Sequence, residues 1–219
     1  MEIAKPCIEL FTQDDPKDIC ARIELYGRTC YQSHAKKTDD SYDPFIRGAI
    51  SRGHFSIIEH EKVTAKVNCD RGVTHQIVRH RLGSYSQEST RYVSYQRGIT
   101  VIQPCFLNGK KDDIKQILWE HAMADAEKYY AELVHHGCKP EEARAVLPNS
   151  LRSELIITYN LREWRHFFWL RCSPGAHIQI REVAIELLRL MQEYLPIIFD
   201  DFKINKKKMI AETKICPAS

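Results

Sequence analysis

From Glu61 to Asn68 the chain alternates without a break, setting Lys62, Thr64 and Lys66 against Val63, Ala65 and Val67. A period of two puts the apolar side chains on one face, the pattern of a half-buried strand. A different period governs Ala176 to Tyr194. There Ile180, Val183, Ala184, Leu187, Leu188 and Met191 fall on one helical stripe. One-faced strands and one-striped helices in the same chain read as a mixed α/β fold.

The remaining segments fit that reading. Pro6 to Phe11 reads as a short strand, and Asp18 to Tyr26 as a helix ended by Gly27. Asp43-Pro44 opens a helix that stops at Gly53. Gly72 to Leu82 reads as a short helix, the polar stretch Gly83 to Tyr95 as a loop, and Gly98 to Pro104 as a strand. Asp112 to His136 is expected to be a long amphipathic helix. Pro140 starts a short helix that Pro148 stops. Leu155 to Tyr159 reads as a strand and Leu161 to Arg171 as a helix. No repeat, low-complexity segment or linker interrupts the 219 residues, which suit a single domain spanning 1–219.

A net charge of +3 gives no bulk field that would mark a nucleic-acid or membrane binder. The one basic run, Lys206-Lys207-Lys208, reads as a solvated helix end or tail. Met1 to Leu10 carries Glu2, Lys5 and Glu9 without a signal-peptide core, and no apolar stretch reaches spanning length. The expected location is the cytoplasm. The eight cysteines, Cys7, Cys20, Cys30, Cys69, Cys105, Cys138, Cys172 and Cys216, form no C-x-x-C pair. That argues against structural zinc and for reduced, mostly buried thiols.

The densest polar constellation is Gln76 to Arg81 followed by Ser84, Ser86, Gln87, Ser89 and Arg91. On a helix, Gln76, Arg79 and His80 share a face. Arg79 and Arg81 are then about 200° apart, so they cannot easily clamp one small anion but could serve two ligands. Arginine forks and hydroxyls suit phosphate oxygens. Taken alone, Arg79-His80-Arg81 also reads as a solvated helix face. A second constellation, Arg162, Arg165, His166 and Trp169, falls at helical spacing on one face, a cationic and aromatic surface for a phosphate and a planar ring. Arg144, Arg171 and His177 are each more often structural than ligand-binding. His54, Glu59 and His60 miss the H-E-x-x-H spacing, so no metal is expected. Glycine-rich phosphate loops and the G-x-S-x-G elbow are absent from the sequence.

Arg79-His80-Arg81, seven residues and then Ser89, completed by Arg91-Tyr92, resembles the R-H-R-x7-S motif of flavin-dependent thymidylate synthases. Further stretches are similar to family motifs in the same order: Gly53-His54 with Glu59-His60, Glu142-Ala143-Arg144 with Leu147-Pro148, Asn160-Leu161-Arg162, Leu170-Arg171 and Ala176-His177. The likeness runs roughly from Gly53 to Tyr194. It implies an α+β domain with an antiparallel sheet flanked by helices, assembled as a homotetramer with shared active sites.

The resemblance further implies methylation of dUMP to dTMP, with FAD as hydride carrier, NADPH as its reductant and methylenetetrahydrofolate as carbon donor. By position, Ser56, Arg79, His80, Arg81, Asn160, Arg162 and His166 would contact FAD. Gln76, Arg79, Glu88, Ser89, Arg91, Arg144 and Arg171 would contact dUMP, and Gln87 both. Arg171 would be the catalytic group, stabilising negative charge on the pyrimidine. Two departures from the family's usual residues stand out: Ser86-Gln87 where Asn-Glu is frequent, and His166 where Asn is common. Pro104-Cys105 is followed by Phe106, not by the His of flavin-free synthases, so no essential cysteine is expected. Rival readings are a nucleic-acid-binding module, another nucleotide-acting flavoprotein reductase and, last, a metal hydrolase.

Overall fold

The computed structural model describes residues 1–12, 14–107, 109–110 and 112–215. Two short strands, β1 (Glu2–Ala4) and β2 (Cys7–Leu10), precede α1 (Pro16–Cys30). The Asp15 carboxylate caps α1, accepting the Lys17 backbone N–H at 2.7 Å, and Pro16 opens its first turn. The helix runs through Gly27, where the sequence predicts its end. A Cβ there would sit 2.5 Å from a ring carbon of Phe45, so Gly27 is a seat for α2 (Tyr42–Ser51) and not a stop.

β3 (Lys62–Asp70) buries Val63, Ala65, Val67 and Cys69, as its alternation demands. Asp70 then caps α3 (Arg71–Ile77), its Oδ1 accepting the Val73 N–H at 2.9 Å. α3 ends before Arg79-His80-Arg81, which therefore does not lie on a helix, contrary to the expectation from sequence. The Tyr85 hydroxyl donates to the Ile77 carbonyl at 3.1 Å, taking the acceptor that a further turn would have used. The predicted loop from Gly83 begins instead as strand β4 (Gly83–Gln87), with Gly83, Tyr85 and Gln87 half-buried and Ser84 and Ser86 exposed.

β5 (Thr100–Ile102) is followed by α4 (Ile114–His135), capped by Asp113. α4 is a weaker amphipath than its sequence suggests: it buries Gln116, Met123 and Tyr130 but exposes Ile114, Leu118 and Tyr129. α5 (Pro140–Ala143) and a 3-10 turn at Arg144–Val146 lead to β6 (Arg152–Asn160). α6 (Leu161–Arg171) has the predicted bounds, and α7 (Ile178–Tyr194) buries all six residues of the predicted stripe. His177 caps α7, a structural role. α8 (Pro196–Phe199) precedes an antiparallel pair, β7 (Lys203–Asn205) and β8 (Ile210–Glu212). Lys206, Lys207 and Lys208 form the exposed turn between that pair, not a helix end.

The fold is mixed α/β with an antiparallel four-stranded sheet in the order β2-β3-β6-β4. β1 and β5 form a separate parallel pair. The chain divides into two compact units. The first comprises Met1–Cys7, Lys66–Arg79 and Tyr85–Ile156. Its core joins Ile99, Val101, Met123 and Leu151, with Tyr95, Trp119 and Leu147 packed against them.

The second unit comprises Ile8–Ala65, His80–Ser84 and the chain from Ile157 onward. It packs α1 on α2, α2 on α8 and α6 on α7. Its core is aromatic: the Trp164 ring lies 4.5 Å from Tyr159 and 5.7 Å from Phe167, and Phe168 meets Phe199 at 5.6 Å between centroids.

No helix among the described residues is long and apolar enough to cross a membrane. Cys20, Cys69 and Cys172 are buried, and burial pushes the Cys20 thiol up to about 11. Cys7 and Cys30 are exposed, with Cys105 and Cys138 between, so burial is less general than expected. Cys216 lies outside the described residues.

Candidate active site

The residues singled out by motif divide between the two units. The first unit holds Gln76, Arg79, Gln87, Glu88, Ser89, Arg91 and Arg144. Strand β4 delivers Gln87 inward, where its Nε2 donates to Thr74 Oγ1 at 2.9 Å and Ser153 Oγ at 3.2 Å. Glu88 follows, its backbone N–H donating to the Glu154 carbonyl at 2.9 Å. Its carboxylate accepts the Tyr95 hydroxyl at 2.7 Å and the Glu154 N–H at 3.3 Å. Burial first, and that hydrogen bond second, push the Tyr95 hydroxyl well above its ordinary range.

The chain then turns at Ser89. The Ser89 carbonyl accepts the N–H groups of Tyr92 and Val93, and its hydroxyl accepts the Arg91 N–H at 3.3 Å. The α5 segment closes on this turn. Arg91 reaches Glu141 at 3.4 Å, and Arg144 donates to Thr90 Oγ1 at 3.4 Å. Ser89, Arg91 and Arg144 are thereby brought together: two exposed guanidinium groups beside a turn, a donor set that suits a phosphate. Gln76 and Arg79 stand at the other end of the segment, Gln76 on α3 and Arg79 exposed after it. An open groove of about 460 Å³ is lined by Gln87 and Glu88 together with Arg152 and Glu154, which sequence reasoning did not single out.

The second unit holds Ser56, His80, Arg81, Asn160, Arg162, His166 and Arg171. Asn160 caps α6, its Oδ1 accepting the Glu163 N–H at 2.8 Å. α6 then carries Glu163, His166 and Arg171 around one buried imidazole. His80 Nδ1 lies 2.9 Å from Glu163 Oε1, and Arg171 Nε donates to His80 Nε2 at 3.0 Å. His80 is only 5% exposed, and Glu163 likewise. The His166 ring stacks with Trp169, centroids 6.3 Å apart. Burial lowers the His166 pKa. The Glu163 carboxylate opposes that shift, while His80, Arg162 and Arg171 reinforce it. Burial also holds the Arg171 guanidinium below the usual arginine range.

Arg165 does not join the ligand face proposed from its spacing. It is fully buried and ties α6 to Asp201 at 2.6 and 2.8 Å and to the Ile198 carbonyl. Helical spacing placed it within reach of that face, but α6 is covered on more than one side. Glu59 and His60 are likewise engaged locally: Glu59 accepts from Arg162 at 2.5 Å, and the His60 ring packs on Tyr26 at 4.8 Å.

Arg162 also borders a groove of about 370 Å³ lined by Phe45, Ala49, Phe55 and Ile57, with Arg52, His54 and Ser56 at hand. An apolar floor with a cationic margin fits a planar ring system carrying phosphates. Arg81 is exposed beside Leu82, itself 75% exposed. Among the described residues, one group has metal-ligand geometry: His80, Glu163 and His166, with ligand atoms within 4.8 Å of one another. Both His80 nitrogens are already hydrogen-bonded, which favours the network over an ion.

Residues 11–197 match the family model described as thymidylate synthase complementing protein. Curated relatives agree. A flavin-dependent thymidylate synthase of Mycobacterium tuberculosis is 37% identical over 205 residues, covering 84% of this chain and 80% of the relative. One from Geobacter sulfurreducens is 36% identical over 189 residues, covering 83% and 81%. The chain belongs to the flavin-dependent thymidylate synthase family. A solved UMP/dUMP methylase from Streptomyces cacaoi, bound with 5-Br dUMP, superposes with a TM-score of 0.72 at 25% identity, covering 91% of this chain and 96% of that one.

Proposed function

We propose that the chain methylates dUMP to dTMP in the cytoplasm as a single catalytic domain, with FAD, NADPH and methylenetetrahydrofolate as its cofactor and co-substrates. Family membership supports the reaction, and the Streptomyces cacaoi methylase, whose structure holds a dUMP analogue, supports the substrate. The observation that carries the reading is the half-buried Arg171, its Nε held by His80. A guanidinium fixed where water is scarce stabilises negative charge on a pyrimidine ring better than a solvated one, and so raises nucleophilicity at C5.

Arg91, Arg144 and Ser89 take the phosphate of dUMP, Gln76, Arg79 and Glu88 contact the nucleotide beside them, and Gln87 orients the base. Ser56, Arg162, Asn160 and His166 hold the flavin with Arg79, His80, Arg81 and Gln87, in keeping with the apolar groove bordered by Arg162. Bound reduced FAD supplies the hydride. Exposed Ile114, Leu118 and Tyr129 on α4 support association with further copies, in line with a homotetramer.

The test is direct. Purified protein is expected to show flavin absorption and to release dTMP from dUMP, methylenetetrahydrofolate and NADPH. A yellow protein that oxidises NADPH without releasing dTMP would instead be a reductase.

A further inference from the structure

We infer that Glu163 is a positioning residue: it fixes the tautomer of His80, and through it the orientation of Arg171. Arg171 Nε carries a hydrogen and can only donate, so the His80 Nε2 it meets at 3.0 Å must be an unprotonated acceptor. The proton of the neutral ring then sits on Nδ1 and is donated to Glu163 Oε1 at 2.9 Å. A doubly protonated ring would set Nε2–H against Nε–H and one cation against another. Because Nε–H lies in the plane of the guanidinium, a bond to it orients that plane. A buried carboxylate that holds an imidazole in one tautomer is an established way to place a working group without touching substrate.

Sequence gives Glu163 a different explanation, and that hides the role. It stands three residues after the capping Asn160, where an acidic side chain is expected to reach back toward the helix start. Its Oε1 instead crosses 83 residues of sequence to His80. The carboxylate is also the one negative group among His80, His166, Arg162 and Arg171 in the interactions that set the His166 pKa. Removing it leaves His80 free to carry its proton on Nε2, where donor would face donor and Arg171 would turn away.

The link to turnover rests on the function proposed above; the tautomer does not. Nitrogen-15 NMR of histidine-labelled holoenzyme, with His80 assigned by its absence in His80→Gln, reads the tautomer directly. Wild type is expected to carry the proton on Nδ1. Glu163→Leu is expected to shift it toward Nε2 and to lower kcat about 10–100-fold, with flavin absorption retained and dUMP binding within about threefold. Glu163→Gln preserves shape but presents either amide oxygen or nitrogen, so it is expected to populate both tautomers with a smaller loss of kcat.

A wild-type His80 protonated on Nε2 would overturn the inference. So would an unchanged kcat and spectrum in Glu163→Gln, the variant that decides the matter should Glu163→Leu not fold. If wild type shows the Nδ1–H tautomer but forms no dTMP, the proposed function fails and the positioning of Arg171 stands.

Discussion

The arginines proposed to hold the phosphate and to act on the ring sit in opposite surroundings. In the first unit, Arg91 is 54% exposed and 3.4 Å from a Glu141 that is itself 41% exposed, and Arg144 makes a bond of 3.4 Å to Thr90. In the second unit, Arg171 is half-buried on His80, and Arg165 is enclosed on Asp201 with no exposed surface. Exposed forks with weak contacts can rearrange around an incoming phosphate, and water and salt screen them until it arrives. A cation meant to act on a neutral ring gains from the reverse arrangement: a low local dielectric and an orientation set before substrate binds. On the proposed roles, phosphate capture and ring activation call for different surroundings from the same residue type.

Four measurements bear on that contrast, taken in order of falling magnitude. Arg171→Ala is expected to lower the rate of dTMP formation by about 10²–10³ while dUMP still binds; a loss confined to KM would place Arg171 with the exposed forks. Arg165→Ala is expected to cost ~3 kcal/mol in urea denaturation, since it strands Asp201. A cost below about 1 kcal/mol would mean that enclosure adds little to that pair. Arg144→Ala is expected to raise KM for dUMP about tenfold, with kcat nearly unchanged and a weaker salt dependence. A collapse of kcat would show that the first unit also orients the ring.

The smallest effect concerns pH. The folded His166 pKa lies below the ordinary value of about 6.5, so the unfolded chain binds the proton more readily. Its contribution to stability is full above that value and is lost as pH falls from there through the folded pKa. Denaturation midpoints of His166→Asn should therefore fall less than those of wild type between neutral and mildly acidic pH. Equal slopes would mean that burial of this ring has no linkage to folding.

Local rules made much of the fold legible. The alternation of β3, the stripe of α7 and the bounds of α6 follow from side chains within one element. The sequence predicts too long an α3 because nothing near Ile77 breaks a helix; the group that takes its carbonyl is Tyr85. β4 reads as a loop in sequence because its inward positions, Gly83, Tyr85 and Gln87, are not an apolar row. The motif located His80, Arg91, Arg144 and Arg171, but not their partners. Glu163, Glu141 and Thr90 look like surface or capping residues until distant segments fold onto them. Periodicity likewise misassigned Arg165, because a buried ion pair and a ligand contact leave the same mark on a helical wheel.

Gly83, at the start of β4, lies against the face of Tyr159. A Cβ built there would come within 2.1 and 2.2 Å of two ring carbons and 3.1 Å of the Thr158 carbonyl oxygen. The ring has little room to retreat, with Trp164 at 4.5 Å and His80 at 6.2 Å between centroids. A single hydrogen atom at Gly83 thus leaves the Tyr159 ring the space it occupies between the strand and the aromatic core. Of the glycines, this is the one at which an added carbon would come nearest to a neighbouring atom.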